Sequence, residues 1–488
     1  MTTMGKIRRN AVAIFTGDLV NKASTFAVYA MLSRYTSLES FGLLQFGLLV
    51  LYTFNVFAAA GLPTLLTRRV ARHANRSRHL LYHGYAGALA SSLLAMLGMI
   101  LFAFVMRYDA EMRWVLCLLS IAIVPYALTL VAEAVIRGRE RMHLIALANL
   151  PGNALLVGGA FAVLSLGYSI YWLAAVVITA RTATFLLTHA MASYCCQHSL
   201  AVPGVGFRVG MKQLKHSLVF FGNDGVNAIW SALDQVMLSK FASEREIGLL
   251  GSSYQILQPI LMVYRAVGTS AFPTLCYTAS RDAIAEMVQS LIGLLWRLST
   301  PAAIGLFLLA DEILVFAYGN EEFRAAAVVI RILVFTLFLD PVTPLLGHAL
   351  WATKNEAVVL RIVLVNLMAN VVVGCLLISQ FGLIGAAVTY VSINFFNVLQ
   401  HKYYFRLEIA PLALGREWLR GLPATLCLLA VVACFVQWDA VRAGQHHWIS
   451  LGQAIIALTL GMIVYVPLAF PGLCSHGVRM VTGKLEKA

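Results

Sequence analysis

Apolar runs of about 20 or more residues recur along almost the whole chain, each long enough to cross a hydrocarbon core of roughly 30 Å as a helix. They fall at 11–33, 43–63, 80–106, 114–136, 144–166, 170–192, 215–238, 247–270, 288–309, 327–350, 357–379, 383–405, 418–438 and 449–470. Backbone in lipid must satisfy its own N–H and C=O groups, and consecutive helices do so. The expected fold class is therefore an all-α polytopic membrane protein with about 14 transmembrane helices. Composition agrees: 60% of the 488 residues are apolar and 12% charged, against about 25% charged in an ordinary soluble domain. No long polar stretch remains to build a soluble domain.

The net charge of +14 is a matter of placement. When the connections are assigned to alternate sides, 25 of the 36 Lys and Arg fall on one side and 7 on the other, with Lys22, Arg181, Arg297 and Arg331 inside spans. Such a bias marks the cytoplasmic side. Both termini are expected there, in an inner (cytoplasmic) membrane, and nucleic acid is a poor partner for charges that set topology. The basic start, Met1 to Asn10, leads into an apolar run without a small-residue cleavage site at the right distance, so it reads as a retained first helix. The eight cysteines are scattered, with no CxxC and no Cys/His cluster of metal spacing; no metal, cofactor or disulfide framework is expected. The connections carry no DxD pair, Gly-rich phosphate loop, Walker site or Ser/His/Asp arrangement. Enzymatic chemistry is not expected, and a membrane glycan polymerase or transferase is a distant reading.

An internal repeat sets the organisation. A shift of 206 residues aligns Ser33-Arg34-Tyr35 with Ser239-Lys240-Phe241, Phe41-Gly42-Leu43-Leu44 with Ile247-Gly248-Leu249-Leu250, and Asp18, Val20 and Asn21 with Asp224, Val226 and Asn227. A shift of 217 aligns Asn149 and Asn153 with Asn366 and Asn370. Spans 1–6 and 7–12 read as two copies of one six-helix unit, both starting on the same side. Parallel repeats about an axis along the membrane normal are a transporter architecture. The expected organisation is an N-lobe at 1–200, a linker at 201–214 containing Pro203-Gly204, a C-lobe at 215–407, and two added helices with a tail at 408–488.

The stretch Phe41-Gly42-Leu43-Leu44-Gln45-Phe46, then Gly61-Leu62-Pro63 and Arg68-Arg69-Val70-Ala71, resembles the second-helix signature of polysaccharide flippases. Leu233-Asp234-Gln235-Val236-Met237-Leu238 before Ile247-Gly248-Leu249 resembles it as well. Ile313-Leu314-Val315-Phe316-Ala317-Tyr318-Gly319 with Glu321-Glu322-Phe323 resembles the segment after helix nine, and Phe381-Gly382-Leu383-Ile384-Gly385-Ala386-Ala387 the start of helix twelve. The chain thus resembles the multidrug/oligosaccharidyl-lipid/polysaccharide (MOP) exporter superfamily, with its MATE-like fold, in the Wzx-like branch. The resemblance implies a two-lobed flippase that moves polyprenyl-diphosphate-linked oligosaccharide to the periplasmic leaflet. A drug or metabolite exporter of the same fold is the alternative. Implied partners are that lipid-linked oligosaccharide, membrane lipids, a polysaccharide polymerase and glycosyltransferases.

A charge at mid-bilayer costs roughly 2.5–3.5 kcal/mol on insertion scales, so those inside spans are candidates for function. Lys22, Arg181, Arg265 and Arg297 are the candidate substrate-binding cations: a cationic, water-filled cavity between the lobes would lower the barrier for a diphosphate head, with arginine making bidentate contacts. Asp18, Asp224 and Asp340 are the ion-coupling candidates. Asp340 precedes Pro341, with Pro344 close behind, where a bent helix is expected beside a cavity. Glu133 is expected to pair with Arg137, Arg331 to snorkel to the surface, Asp234 to be structural, and His189 and His348 to be structural.

Overall fold

The computed structural model describes residues 3–196, 206–278, 280–443, 459, 461–463 and 465–469. Among them there are helices and turns and no strand. The helices are α1 (Thr3–Tyr35), α2 (Leu38–Ala59), α3 (Leu62–Arg72), α4 (Ser77–Val105), α5 (Ala110–Ser120), α6 (Ile123–Gly138), α7 (His143–Ser165), α8 (Ile170–Cys195), α9 (Phe207–Phe241), α10 (Glu244–Tyr277), α11 (Arg281–Leu308), α12 (Ala310–Tyr318), α13 (Ala327–Leu333), α14 (Thr336–Leu339), α15 (Val342–Ala352), α16 (Glu356–Glu408) and α17 (Leu414–Ala443). Eight of the described helical stretches are long and apolar enough to cross a membrane. The protein is an all-α polytopic membrane protein. Expected spans 1–13 coincide with described helices; span 14 lies mostly outside the described residues, which show helix at 461–463 and 465–469. Large apolar side chains on the outside, such as Leu94 at 73% and Val219 at 84% exposure, have the character of lipid-facing surface.

Three departures from straight single-helix spans have local causes. Span 4 divides into α5 and α6, where Ile121 and Ala122 bond three residues back, to Leu118 O (3.2 Å) and Leu119 O (3.0 Å). Expected spans 11 and 12 run together as α16 and turn at Gly382, whose φ of 50° and ψ of −125° suit a residue without Cβ. Span 10 is cut into α13, α14 and α15 around Pro341. Proline has no N–H, so Leu337 O loses its helical donor; the Tyr264 hydroxyl donates to it instead (3.2 Å), and Trp296 Nε1 donates to the next carbonyl, Phe338 O (2.7 Å). Side chains of α10 and α11 thereby satisfy what the proline frees.

The chain forms two compact units, Met1–Gly251 and Ser252–Ala488. In the first, α7 packs against α1 and α8, α4 against α2 and α6, and α9 against α2, α3 and α4. Ser217 on α9 donates to Ala60 O (2.7 Å). The repeated motif meets its own copy: a Cβ built on Gly248 would lie 3.1 Å from Gly42 Cα, and one on Gly42 would lie 1.8 Å from Glu244 O. The two helices approach this closely because both positions are glycine. Both copies open with a serine cap. Ser37 accepts from Ser40 N (3.3 Å), and Ser243 accepts from Glu246 N (3.4 Å) while Glu246 Oε2 accepts from Ser243 N (3.3 Å); this reciprocal pair is a capping box.

In the second unit α15 packs on α16 and α11 on α17. Phe323 stacks on Tyr318, centroids 4.5 Å apart, and the Tyr318 hydroxyl donates to Ser252 O (3.0 Å).

Candidate functional site

The candidate cations occupy unlike surroundings. In the first unit, Lys22 is exposed on α1, and the side chain of Asp18 lies outside the described residues. Arg181, half-buried on α8, holds its guanidinium 5.2 Å from the centroid of the Tyr126 ring on α6. Such a contact is worth roughly 0.5–2 kcal/mol according to its desolvation, so the partner not evident in the sequence is aromatic. Asp224 is exposed on α9.

In the second unit, Arg265 is exposed on α10 and donates to the neutral Gln258 Oε1 (3.1 Å). Asp340, at the break between α14 and α15, has Oδ2 shielded from solvent without a hydrogen-bond partner and within electrostatic reach of Arg265. Arg297 is held otherwise: Nε donates to Gly293 O (3.1 Å), Nη1 donates to Ala469 O (3.3 Å), and its own carbonyl accepts from the Tyr465 hydroxyl (2.6 Å). It ties α11 to the segment near 465–469.

The remaining charges are placed plainly. Glu133 pairs with Arg137, as expected. Arg331, expected to snorkel, pairs with Asp311, which is only 7% exposed. Asp234 is buried. His189 hydrogen-bonds the Tyr85 hydroxyl (2.9 Å), and His348 lies against Phe272 and Trp351. Asparagines of the repeat tie helices together in the first unit and, in the second, the two arms of α16 on either side of Gly382. Asn153 donates to Asn21 and Asn149 to Glu133 Oε1 (3.4 Å), whereas Asn366 donates to Asn397 Oδ1 (2.8 Å) and accepts from Gln400 (2.6 Å).

None of the candidate residues lines the two cavities found in the first unit. One, of about 730 Å³ and half open to the outside, lies between α3, the 3-10 turn Ala74–Arg76, the start of α4 and the start of α9, and Arg68, Arg69, Arg72, Arg76 and Lys212 line it. The other, of about 380 Å³, is apolar and lined by Tyr82, Tyr85, Leu89, Leu128, Phe185 and Phe207. The sequence did carry a signal for α3. Leu62, Leu65, Leu66 and Val70 recur at helical spacing, with Arg68, Arg69 and Arg72 at the edge of or away from that face, which marks a helix rather than a loop, but the segment reads as a basic connection when only charge is counted.

Polytopic apolar helices, with helix breaks stitched by side chains, are features of a membrane transporter. Comparison with known families places it further. The chain belongs to the polysaccharide biosynthesis protein family, whose sequence model matches residues 7–278; the MatE family model matches residues 226–376. It is 23% identical over 350 residues, 71% of each chain, to the probable low-salt glycan biosynthesis flippase Agl15 of Haloferax volcanii. It is 26% identical over 220 residues to the probable lipid II flippase MurJ of Bdellovibrio bacteriovorus, covering 43% of this chain and 42% of that one. Among solved structures, an inward closed lipid II flippase MurJ superposes with a TM-score of 0.74 at 14% identity over 94% of this chain and 97% of that one. An inward-facing multidrug resistance MATE transporter of the MOP superfamily reaches 0.64 at 14% identity over 80% and 95%. These likenesses bear out the MOP, Wzx-like resemblance and the fold.

Proposed function

We propose that the protein is a flippase that translocates polyprenyl-diphosphate-linked oligosaccharide from the cytoplasmic to the periplasmic leaflet for surface polysaccharide biosynthesis. The observation that carries this reading is the match over 71% of both chains to a probable glycan biosynthesis flippase, joined to membrane-depth cations suited to a diphosphate. Drug or metabolite export by the same fold is less favoured, because both curated relatives are named as flippases, one of glycan biosynthesis and one of lipid II. Membrane glycan polymerase or transferase activity has no support from these relatives, and we read the protein as a transporter without catalysis.

In this reading the lobes at 1–200 and 215–407, joined by 201–214, expose the substrate path alternately. Both termini are cytoplasmic in an inner membrane. Lys22, Arg181, Arg265 and Arg297 meet the diphosphate; Arg265, whose recorded hydrogen bond is to a neutral amide, contributes most, and Arg297, already serving two carbonyls, least. Asp340, beside Arg265, is the foremost ion-coupling acid, ahead of Asp18 and Asp224. Glycosyltransferases supply the substrate and a polymerase consumes it. Depleting the protein in its native cell tests this: lipid-linked oligosaccharide should accumulate facing the cytoplasm while surface polysaccharide falls. Unchanged surface polysaccharide and no accumulation would sink the proposal.

A further inference from the structure

We propose that the cavity of about 730 Å³ between α3, the turn Ala74–Arg76, the start of α4 and the start of α9 is a binding site for a phosphate-bearing anion of the diphosphate class. It is separate from the candidate cations within the spans and lies on the face that the Lys and Arg distribution assigns to the cytoplasm.

Charge is the first argument. Arg68, Arg69, Arg72, Arg76 and Lys212 line the space, together with His73, His79 and His216, and no carboxylate does. None of the five cations is ion-paired among the described residues. Topology alone asks only that basic residues lie on this side of the membrane; it does not ask that residues some 140 positions apart in sequence converge on one half-open cavity. Like charges gathered there repel, and an anion is the species that relieves them.

Construction is the second. α3 is anchored by Leu62, Leu66 and Val70, each at 1% exposure or less, so its arginines project from a packed helix. Arg68 and Arg72 are one turn apart on that helix, as are Lys212 and His216 on α9. The α9 wall is fixed by the Ser217 bond to Ala60 O, and its start is tied to α4 where Gly206 N donates to His83 Nε2 (3.4 Å). Gln213, 3% exposed, lines the cavity with Oε1 lacking a hydrogen-bond partner. The volume is within the roughly 300–1,000 Å³ of small-ligand sites. Chemistry is the third argument: four guanidinium forks match phosphate oxygens in bidentate fashion, which a loose cloud of lysines does not.

A prenyl diphosphate head, an anionic phospholipid head and a soluble diphosphate share this chemistry. Full-length protein in phosphatidylcholine nanodiscs, titrated calorimetrically with inorganic diphosphate and with farnesyl diphosphate, tests the site and separates the sources. Wild type should bind, more weakly as salt rises. The R68Q/R69Q/R72Q/K212Q variant should bind at least tenfold more weakly, and K402Q/R406Q, on the end of α16, should match wild type. Tighter binding of farnesyl diphosphate than of diphosphate, undisturbed when phosphatidylglycerol replaces part of the lipid, identifies a prenyl diphosphate. Loss of diphosphate binding on adding phosphatidylglycerol identifies a lipid head occupying the cavity, and equal affinity for both probes regardless of lipid identifies a soluble diphosphate. If the quadruple variant does not purify folded, Arg72→Gln and Lys212→Gln should each weaken binding threefold or more, and R68K/R69K/R72K should lie between wild type and the quadruple change. No binding of either probe by wild type, or equal affinity in wild type and the cavity variants, overturns the proposal. Because the readout is binding, a protein that binds yet does not transport sinks the flippase reading and leaves this site standing.

Discussion

Arg265 and Arg297 lie on consecutive helices of one unit, and depth in the membrane selects both, yet they do different things. Arg297 spends its donors on Gly293 O and Ala469 O, with Tyr465 closing on its own carbonyl. Arg265 is exposed, bonded to a neutral amide and within reach of Asp340. A half-buried arginine whose donors serve carbonyls is a structural tie; an exposed one that keeps charge in excess over its partners can meet an anion. Depth raises the question of function, and the partner answers it.

The largest effect that breaks or sharpens this contrast is expected from Arg265→Gln. Export of glycan should fall at least tenfold, measured as surface polysaccharide per inserted protein, with Arg265→Lys keeping part of it because attraction survives while the fork is lost. Export unchanged in both variants would remove Arg265 from the substrate path. Next comes a test of how the start of α10, the helix that carries Arg265, is seated against α2: Gly42→Leu places side-chain atoms where Glu244 O already sits. Folded yield should drop severely on size-exclusion chromatography, while Gly158→Leu, where a Cβ meets nothing within 4 Å, should be tolerated. Arg297→Gln should cost less export than Arg265→Gln and more stability. Losing charged donors from two carbonyls costs about 1.5–3 kcal/mol, visible as a lower unfolding temperature in detergent. The smallest effect concerns the break beside Arg265. Tyr264→Phe leaves Leu337 O without a donor and should cost about 1–3 kcal/mol; an unfolding temperature equal to wild type would show that the proline-freed carbonyl finds another partner.

What the sequence made legible is what local pattern encodes. Long apolar runs located the helices, and Asp340-Pro341 with Pro344 foretold the break of span 10. The pairing of Glu133 with Arg137 followed from a separation of one helical turn. The features left unread all depend on residues far apart in the chain: the carbonyl of Ala469 that holds Arg297, the Asp311 carboxylate that pairs with Arg331, and the Tyr126 ring under Arg181. The basic cavity belongs with them, since α3 and α9 meet only in the fold. Its α3 wall was nevertheless open to reading, had the apolar spacing of Leu62, Leu65, Leu66 and Val70 been weighed beside the charges.

Translocation of a lipid-linked oligosaccharide can be followed in a reconstituted system. Purified protein in vesicles carrying a fluorescent prenyl-diphosphate-linked saccharide on the inner leaflet should expose that saccharide to an impermeant lectin added outside, at a rate well above protein-free vesicles and reduced at least tenfold by Arg265→Gln. Exposure at the protein-free rate, with a cationic drug transported by the same vesicles, would contradict the account and favour the exporter reading.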